Sequence, residues 1–202
     1  MIYILGGGGH AKVVIDVLKL NGFEVCGIID PNLSMNDSIL GVRVIGGDEV
    51  MGCLDPSKVR IAIGVGAAAK RRLNRELFQE WSAFGYSIIS VIHPLAIIGE
   101  NVQLAEGCQV MAGSVIQSST SIGAGSVINT AASIDHDCII EDHCFIAPSV
   151  TVCGGVFIGQ GCFVGAGAIL LPGVNVGKNS LISAGAVVAS DIQEDGYFMQ
   201  QR

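Results

Sequence analysis

From Ile98 to Val188 every sixth residue is a branched aliphatic: sixteen positions, Ile98, Leu104, Val110 and onward to Ile182 and Val188, without one slip of register. The position four residues after each of the first fifteen is small, as at Val102, Cys108, Ser114, Thr120, Ser126, Ala132, Cys138, Cys144 and Cys162. A fixed short period of this kind governs the whole fold of the segment that carries it. A large apolar residue and a small one every six residues describe a chain that turns a corner at each repeat and piles coil upon coil. Three corners close a triangle, so each coil takes 18 residues and the run supplies about five coils of a parallel β-solenoid. The large residues fill the centre and the small ones fit near the corners. Four of the seven cysteines (Cys108, Cys138, Cys144, Cys162) fall on the small position, where a free thiol packs as a compact hydrophobe.

The first 94 residues read differently. Residues 2–5 form a buried strand, Gly6-Gly7-Gly8-Gly9 a tight loop, and Ala11 to Leu20 a helix with Val13, Val14, Val17 and Leu18 on its apolar face. A second strand from Glu24 to Ile29 ends in Asp30, and a third from Arg60 to Ile63 ends in Gly64-Val65-Gly66. A helix follows from about Ala68 to Phe84, and its Lys70-Arg71-Arg72 run reads as a solvated face. Strands alternating with helices imply a small parallel sheet of three or four strands, and such sheets bind ligands beyond the carboxyl ends of their strands. Gly8, Gly9, Asp30 and Gly64 lie at that edge.

Charge marks the boundary. Residues 1–94 carry nine Lys/Arg and nine Asp/Glu, whereas residues 95–190 carry six acids and the single base Lys178. The expected organisation is therefore an α/β domain at 1–94 and an all-β solenoid at 95–202. A net charge of −7 argues against nucleic acid or an anionic membrane as partner, since both require a cationic footprint. Apolar stretches break well short of the roughly 20 residues a membrane span needs. The start, Met1 to Leu5, lacks the basic region of a signal peptide, and seven cysteines without a CxxC pair suggest no disulfide framework, so a cytoplasmic location is expected.

Gly6, Gly8 and Ala11 fit GxGxxA, and Asp30 falls near the distance where a dinucleotide fold places its ribose acid. Some 90 residues leave no room for a second mononucleotide half, which suits a nucleotide-sugar better than NAD. Amides of the loop and helix start would receive a phosphate. Of four histidines, His93 reads as a linker residue, and His136 stands between two carboxylates in Asp135-His136-Asp137. An imidazole beside an acid is a general-base constellation, the carboxylate holding the tautomer and raising basicity. Gly154 follows His136 by 18 residues, one coil, so stacked coils would set its amide about 4.8 Å along the axis, where it could serve as an oxyanion donor. His136 and His143 differ by seven, which is no multiple of 18, and no metal site is expected.

Gly6-Gly7-Gly8-Gly9-His10-Ala11-Lys12, Gly27-Ile28-Ile29-Asp30, Ala62-Ile63-Gly64, Asn129-Thr130 and Asp135-His136-Asp137-Cys138, followed by hexapeptides, together resemble the sugar O/N-acyltransferases. That family includes the PglD-type nucleotide-aminosugar N-acetyltransferases and the NeuD-type sialic acid O-acetyltransferases. The resemblance spans nearly the whole chain. It implies a left-handed coil, acetyl-CoA as cosubstrate, and a homotrimer with active sites between neighbouring solenoids. It casts His136 as catalytic base, Asp137 as its supporting acid and Gly154 as the thioester-binding amide. Gly8, Gly9, His10, Asp30, Gly64 and Asn129 become sugar-nucleotide contacts, and Gly165-Ala166-Gly167 the path of pantetheine. The sequence departs from the family twice. Phe145 stands where many relatives carry a second histidine, leaving that cofactor contact to His143 or Phe145. The usual basic Gly-x-Pro-Ala-Lys/Arg ending is replaced by Asp195 to Arg202, which leaves CoA phosphates to Lys178, Arg202 and backbone amides.

The expected activity is N-acetylation of a nucleotide-linked amino sugar, of the 4-amino-4,6-dideoxy class used in bacterial surface glycans. O-acetylation of sialic acid, an NAD-linked enzyme and a non-catalytic scaffold stand as alternatives.

Overall fold

The computed structural model describes residues 1–66 and 71–199, and the chain divides into two compact units, Met1–Val91 and the remainder from Ile92. Lys70 and Arg202 lie outside the described residues, as do the side chains of Arg71 and Arg72.

The first unit contains β1 (Ile2–Leu5), α1 (Gly9–Leu20), β2 (Val25–Ile29), β3 (Ser38–Ile39), β4 (Val42–Gly46), a 3-10 turn (Asp48–Cys53), β5 (Arg60–Ile63), α2 (Arg71–Ala83) and β6 (Ser87–Ile88). Its sheet runs β3-β4-β2-β1-β5-β6, six strands rather than three or four, with only β3 antiparallel. Of the additional strands, β3 and β6 hold two residues each, too few to show an alternating pattern, and β4 holds five. The core is Ile2, Ile4, Ile28, Ile29, Ile61 and Ile63 from the central strands, against Ala11, Val14, Ile15 and Leu18 of α1. Val13, expected on the buried face of α1, is instead exposed, because Ala11, Val14, Ile15 and Leu18 sit at the three- and four-residue spacings that form one stripe. β1 lies between β2 and β5, so the chain reverses its direction across the sheet there, and the loops after all three strands meet at one edge.

The second unit is a three-walled parallel solenoid. One wall holds seven strands, from Val91–Ile92 to Tyr197–Phe198, the second six, from Ile97–Ile98 to Val187–Val188, and the third five, from Gln103–Leu104 to Asn175–Val176. Each strand pairs with the one 18 residues on, as in Gln109↔Val127↔Phe145↔Phe163↔Leu181. The coils therefore continue past both ends of the sixfold run. Beyond Val188 the period slips: Leu181 pairs with Tyr197 and Val176 with Ile192, each 16 residues away. From Val110 to Val188 every inward aliphatic is at most 1% exposed, whereas Ile98 at the open end is 38% exposed.

Two regularities complete the coil. Three residues past each inward aliphatic, from Asn101 to Gly185, the backbone turns with positive φ, between 56° and 73°. Gly holds eight of these fifteen corners, and Asn101, Ser119, Ala131, Asp137, His143, Ser149 and Asn179 hold the others. Second, the small inward side chain donates to a corner carbonyl fifteen residues on. Cys108 reaches Gly123 (3.2 Å), Thr120 reaches Asp135 (2.9 Å), Ser126 Glu141 (2.9 Å), Cys138 Cys153 (3.2 Å), Cys144 Gly159 (3.2 Å) and Cys162 Gly177 (3.1 Å). Apart from Gly123, which also accepts Ser126 N–H (3.3 Å), these carbonyls have no other donor among the described residues and would otherwise go unpaired at a cost of about 1–3 kcal/mol each. Burial pushes the Cys108 thiol up to about 11 and raises Cys138 and Cys144 as well, so the thiols stay protonated and able to donate. All seven cysteines are free.

Candidate active site

His136 stands at the edge between the second wall, which it leaves at Ser133–Ile134, and the third, which begins again at Ile139–Ile140. Asp137 turns that corner with φ 57°, and its backbone N–H donates to Ser118 of the coil below (3.2 Å). The turn swings the Asp137 carboxylate beside the ring, and His136 Nδ1 lies 2.8 Å from Asp137 Oδ2. Nδ1–H donating to the carboxylate leaves the Nε2 lone pair free, the tautomer a base requires. The hydrogen bond to Asp137, and after it the negative charge of Asp135, raise the His136 pKa above its ordinary value. Asp135 Oδ1 also accepts the His136 backbone N–H (2.8 Å), and Thr120 pins the Asp135 carbonyl from inside. In the single chain the His136 side chain is 61% exposed.

Gly154 occupies the same place one coil above. A β-carbon built there would lie 2.8 Å from His136 Cε1 and 2.9 Å from Nε2, so the absent side chain is the space the imidazole uses. The Gly154 N–H has no hydrogen-bond partner among the described residues. Two equivalent amides of other corners bind a carboxylate: Ala124 N–H donates to Asp142 Oδ1 (2.7 Å) and Gln160 N–H to Glu141 Oε2 (2.9 Å). A corner amide of this solenoid is thus a carboxylate-binding donor wherever the chain supplies a carboxylate. At Gly154 it supplies none.

At the sheet edge of the first unit, Gly7 N–H donates to Asp30 Oδ2 (2.7 Å), and Asn32 N–H donates to Asp30 Oδ1 (2.8 Å). Asp30 therefore clamps the glycine loop to the end of β2. The glycines divide into two kinds. A β-carbon at Gly7 would strike Leu33, and one at Gly64 would strike the Gly6 carbonyl and come 3.0 Å from Ala11, so close packing demands glycine. At Gly8 and Gly9 a β-carbon would meet nothing within 4 Å, and both are exposed at the start of α1, whose N-cap Gly8 has extended backbone and no side-chain cap. Nothing in the packing requires glycine there, and the Gly8 and Gly9 amides at the helix start have no hydrogen-bond partner among the described residues, which suits an anion. His10 lies against Gly66, whose built β-carbon would sit 3.2 Å from the His10 Cβ.

The remaining expected residues fall on other edges of the solenoid. Asn129 and Gly165-Ala166-Gly167 share the edge between the first and second walls, where Asn129 Oδ1 accepts Thr130 N–H (2.8 Å) and Ala166 is exposed. His143 (φ 57°) and Lys178 share the edge between the third and first walls. Phe145 faces outward on the first wall and stacks on Phe163, ring centroids 5.6 Å apart and planes 8° from parallel. Lys178 Nζ is paired with Glu194 (3.0 Å) at the surface. One chain thus assembles Asp135, His136, Asp137 and Gly154, and it holds these other residues on separate edges. Thr120 and Cys138, which the sequence marks only as small inward residues, fasten two carbonyls of the His136 edge; the signal for these bonds is the fifteen-residue spacing from small inward residue to corner. Among the described residues no three His, Cys, Asp or Glu side chains converge as a metal site.

Comparison with known proteins matches residues 1–76 to the PglD N-terminal domain and residues 155–190 to the bacterial transferase hexapeptide (six repeats). Among solved structures the chain is similar to perosamine N-acetyltransferase from Caulobacter crescentus in complex with CoA and GDP-perosamine. The identity is 36%, with 97% of this chain and 91% of that one covered and a TM-score of 0.91. The molecule in that structure is a histidine-to-asparagine variant. It is also similar to the acetyltransferase domain of PglB from Neisseria gonorrhoeae, solved with acetyl coenzyme A, at 30% identity over 96% and 93% of the two chains, TM-score 0.89. WeeI from Acinetobacter baumannii shares the fold at 21% identity, TM-score 0.86.

Proposed function

The chain belongs to the PglD/NeuD-type sugar acetyltransferases, and from that membership we propose that it transfers acetyl from acetyl-CoA to the amine of a nucleotide-linked amino sugar. The observation that carries the mechanism is the His136–Asp137 pair beneath an unpartnered Gly154 amide. The acceptor amine attacks the thioester carbonyl carbon, and His136 Nε2 takes the proton the nitrogen sheds as the C–N bond forms. The carbonyl oxygen gains the negative charge and is met by Gly154 N–H. When the tetrahedral intermediate collapses, the C–S bond breaks and the proton on His136 passes to the departing CoA thiolate. Asp137 holds the ring through both transfers and offsets its positive charge between them.

The glycine loop supports the nucleotide part of the acceptor. Gly8 and Gly9 present α1 amides to the diphosphate, and the edge formed by His10, Asp30 and Gly64 receives the nucleoside. The C. crescentus relative was solved with a GDP-linked amino sugar, which favours an acceptor of the 4-amino-4,6-dideoxy class over sialic acid. Such a product serves surface glycan synthesis in the cytoplasm.

Exposure of His136 supports a homotrimer. A base working on a thioester gains from a wall that excludes water, and the walls beside this edge expose Ile139 (49%), Ile169 (38%), Leu171 (38%) and Val187 (39%). A neighbouring solenoid laid on that edge would cover them and bring its own Asn129, Gly165–Gly167, His143, Phe145 or Lys178 toward His136.

The test is thiol release from acetyl-CoA with UDP-, dTDP- and GDP-linked 4-amino sugars and with free or CMP-linked sialic acid, alongside light scattering for mass. Turnover with an amino sugar that His136→Ala abolishes in an intact trimer is the expected result. Turnover only with sialic acid would move the enzyme to O-acetylation, and full activity in His136→Ala would remove the histidine from the chemistry.

A further inference from the structure

We propose that the buried thiol of Cys138 positions the oxyanion amide. Its Sγ donates to the carbonyl of Cys153, and that carbonyl belongs to the same peptide unit as the Gly154 N–H. This inference rests on the reading of Gly154 as the thioester-binding donor and deepens it.

The geometry follows from the planarity of the peptide. All peptide bonds among the described residues are trans, so C=O and N–H of one unit point in opposite directions. Cys138 is fully buried within the coil. A Cys153 carbonyl drawn inward to its sulfur (3.2 Å) therefore aims the Gly154 N–H outward, to the side of the wall where His136 stands. Donation to the carbonyl oxygen also pulls electron density along the amide and makes the N–H a better donor, the mutual polarisation of linked hydrogen bonds. The same device recurs where its product can be seen. Cys108 holds the Gly123 carbonyl, and the next amide, Ala124 N–H, binds the Asp142 carboxylate. Cys144 holds the Gly159 carbonyl, and Gln160 N–H binds the Glu141 carboxylate. In both places the tethered peptide presents an amide to a negatively charged oxygen of the chain. At Gly154 the oxygen it is built to receive is that of the tetrahedral intermediate.

The repeat supplies its own controls. Ala132, Ala168 and Ala186 fill the position of Cys138 in other corners and are fully buried, so alanine fits the site. Ser126 makes the same bond as Cys138 at 2.9 Å, so serine can replace the thiol as donor. The experiment compares Cys138→Ala, Cys138→Ser and Cys108→Ala with the unaltered full chain, reading kcat and KM for acetyl-CoA and acceptor together with Tm. Cys138→Ala should lower kcat about fivefold, the loss of one neutral hydrogen bond felt in the transition state, with both KM values unchanged. Cys138→Ser should restore kcat. Cys108→Ala, whose Gly123 carbonyl keeps Ser126 N–H as a donor (3.3 Å), should keep its kcat. A kcat in Cys138→Ala within twofold of that in Cys108→Ala, or a serine variant as slow as the alanine one, would overturn the assignment while leaving the acetyltransferase reading intact. Absence of transfer by the unaltered chain with every acceptor would overturn both.

Discussion

Gly154 lies one coil above His136, and the β-carbon it lacks would fall 2.8 Å from the imidazole Cε1. The ring and the amide are therefore fitted to each other, and the smallest possible addition separates them. Gly154→Ala does not meet backbone, so the fold survives and the imidazole rotates away. Because a misplaced base and a displaced donor act only on the chemical step, kcat should fall by about 100-fold or more with KM nearly constant. Steady-state kinetics on the folded variant checks this.

The Asp137 carboxylate is the largest cause of the raised His136 pKa, and it sits at a corner with φ 57°. Asparagine tolerates that backbone and keeps an oxygen for Nδ1–H, so Asp137→Asn removes charge without removing the contact. A base works when neutral, so the rate of the parent enzyme should rise with pH through the raised pKa and then level. In Asp137→Asn that limb should move to lower pH, because the cationic ring has lost its main partner, while the plateau falls about tenfold. A kcat/KM profile across pH 5 to 9 would show both, and an unmoved limb would mean that His136 does not set it.

In the first unit the Asp30 carboxylate spans Gly7 N–H and Asn32 N–H, so it shapes the loop at the carboxyl edge of the sheet. Asp30→Ala should raise KM for the nucleotide sugar about tenfold and leave KM for acetyl-CoA unchanged. A matched rise in both would place the two substrates on one surface rather than on two.

The solenoid was readable because its inward side is written in two residue types at one period, and burial enforces both. The corners were not, since glycine, asparagine, serine, alanine, aspartate and histidine all take the same positive φ; position within the repeat decides the backbone, and residue type follows only loosely. Strand β4, Val42–Gly46, alternates buried and exposed residues but lies among the turn residues of 31–59, which masked it. That His136, Asp137 and Gly154 lie together was legible because the histidine and the glycine are separated by one coil length. Cys138 was not, because a thiol on an inward position reads as packing until the bond it donates is seen.

Ala131 and Gly113 test how much the corner backbone itself contributes to stability. They occupy the same corner one coil apart, with φ 56° and 67°, and Ala131 N–H donates to Ala112 of the coil below (2.9 Å). Ala131 is exposed, and a β-carbon at Gly113 would meet nothing within 4 Å, so neither exchange alters packing. The left-handed conformation costs an L-residue about 1–2 kcal/mol, and glycine returns part of that through its greater freedom in the unfolded chain. Ala131→Gly should therefore raise stability by about 0.5–1 kcal/mol, about 1–4 °C in Tm for a chain of this size. Gly113→Ala should lower it by a similar amount, and the double exchange should return Tm to that of the parent. Thermal unfolding of the three variants decides it: equal Tm values throughout would mean that the corner strain is relieved by small backbone shifts along the stack.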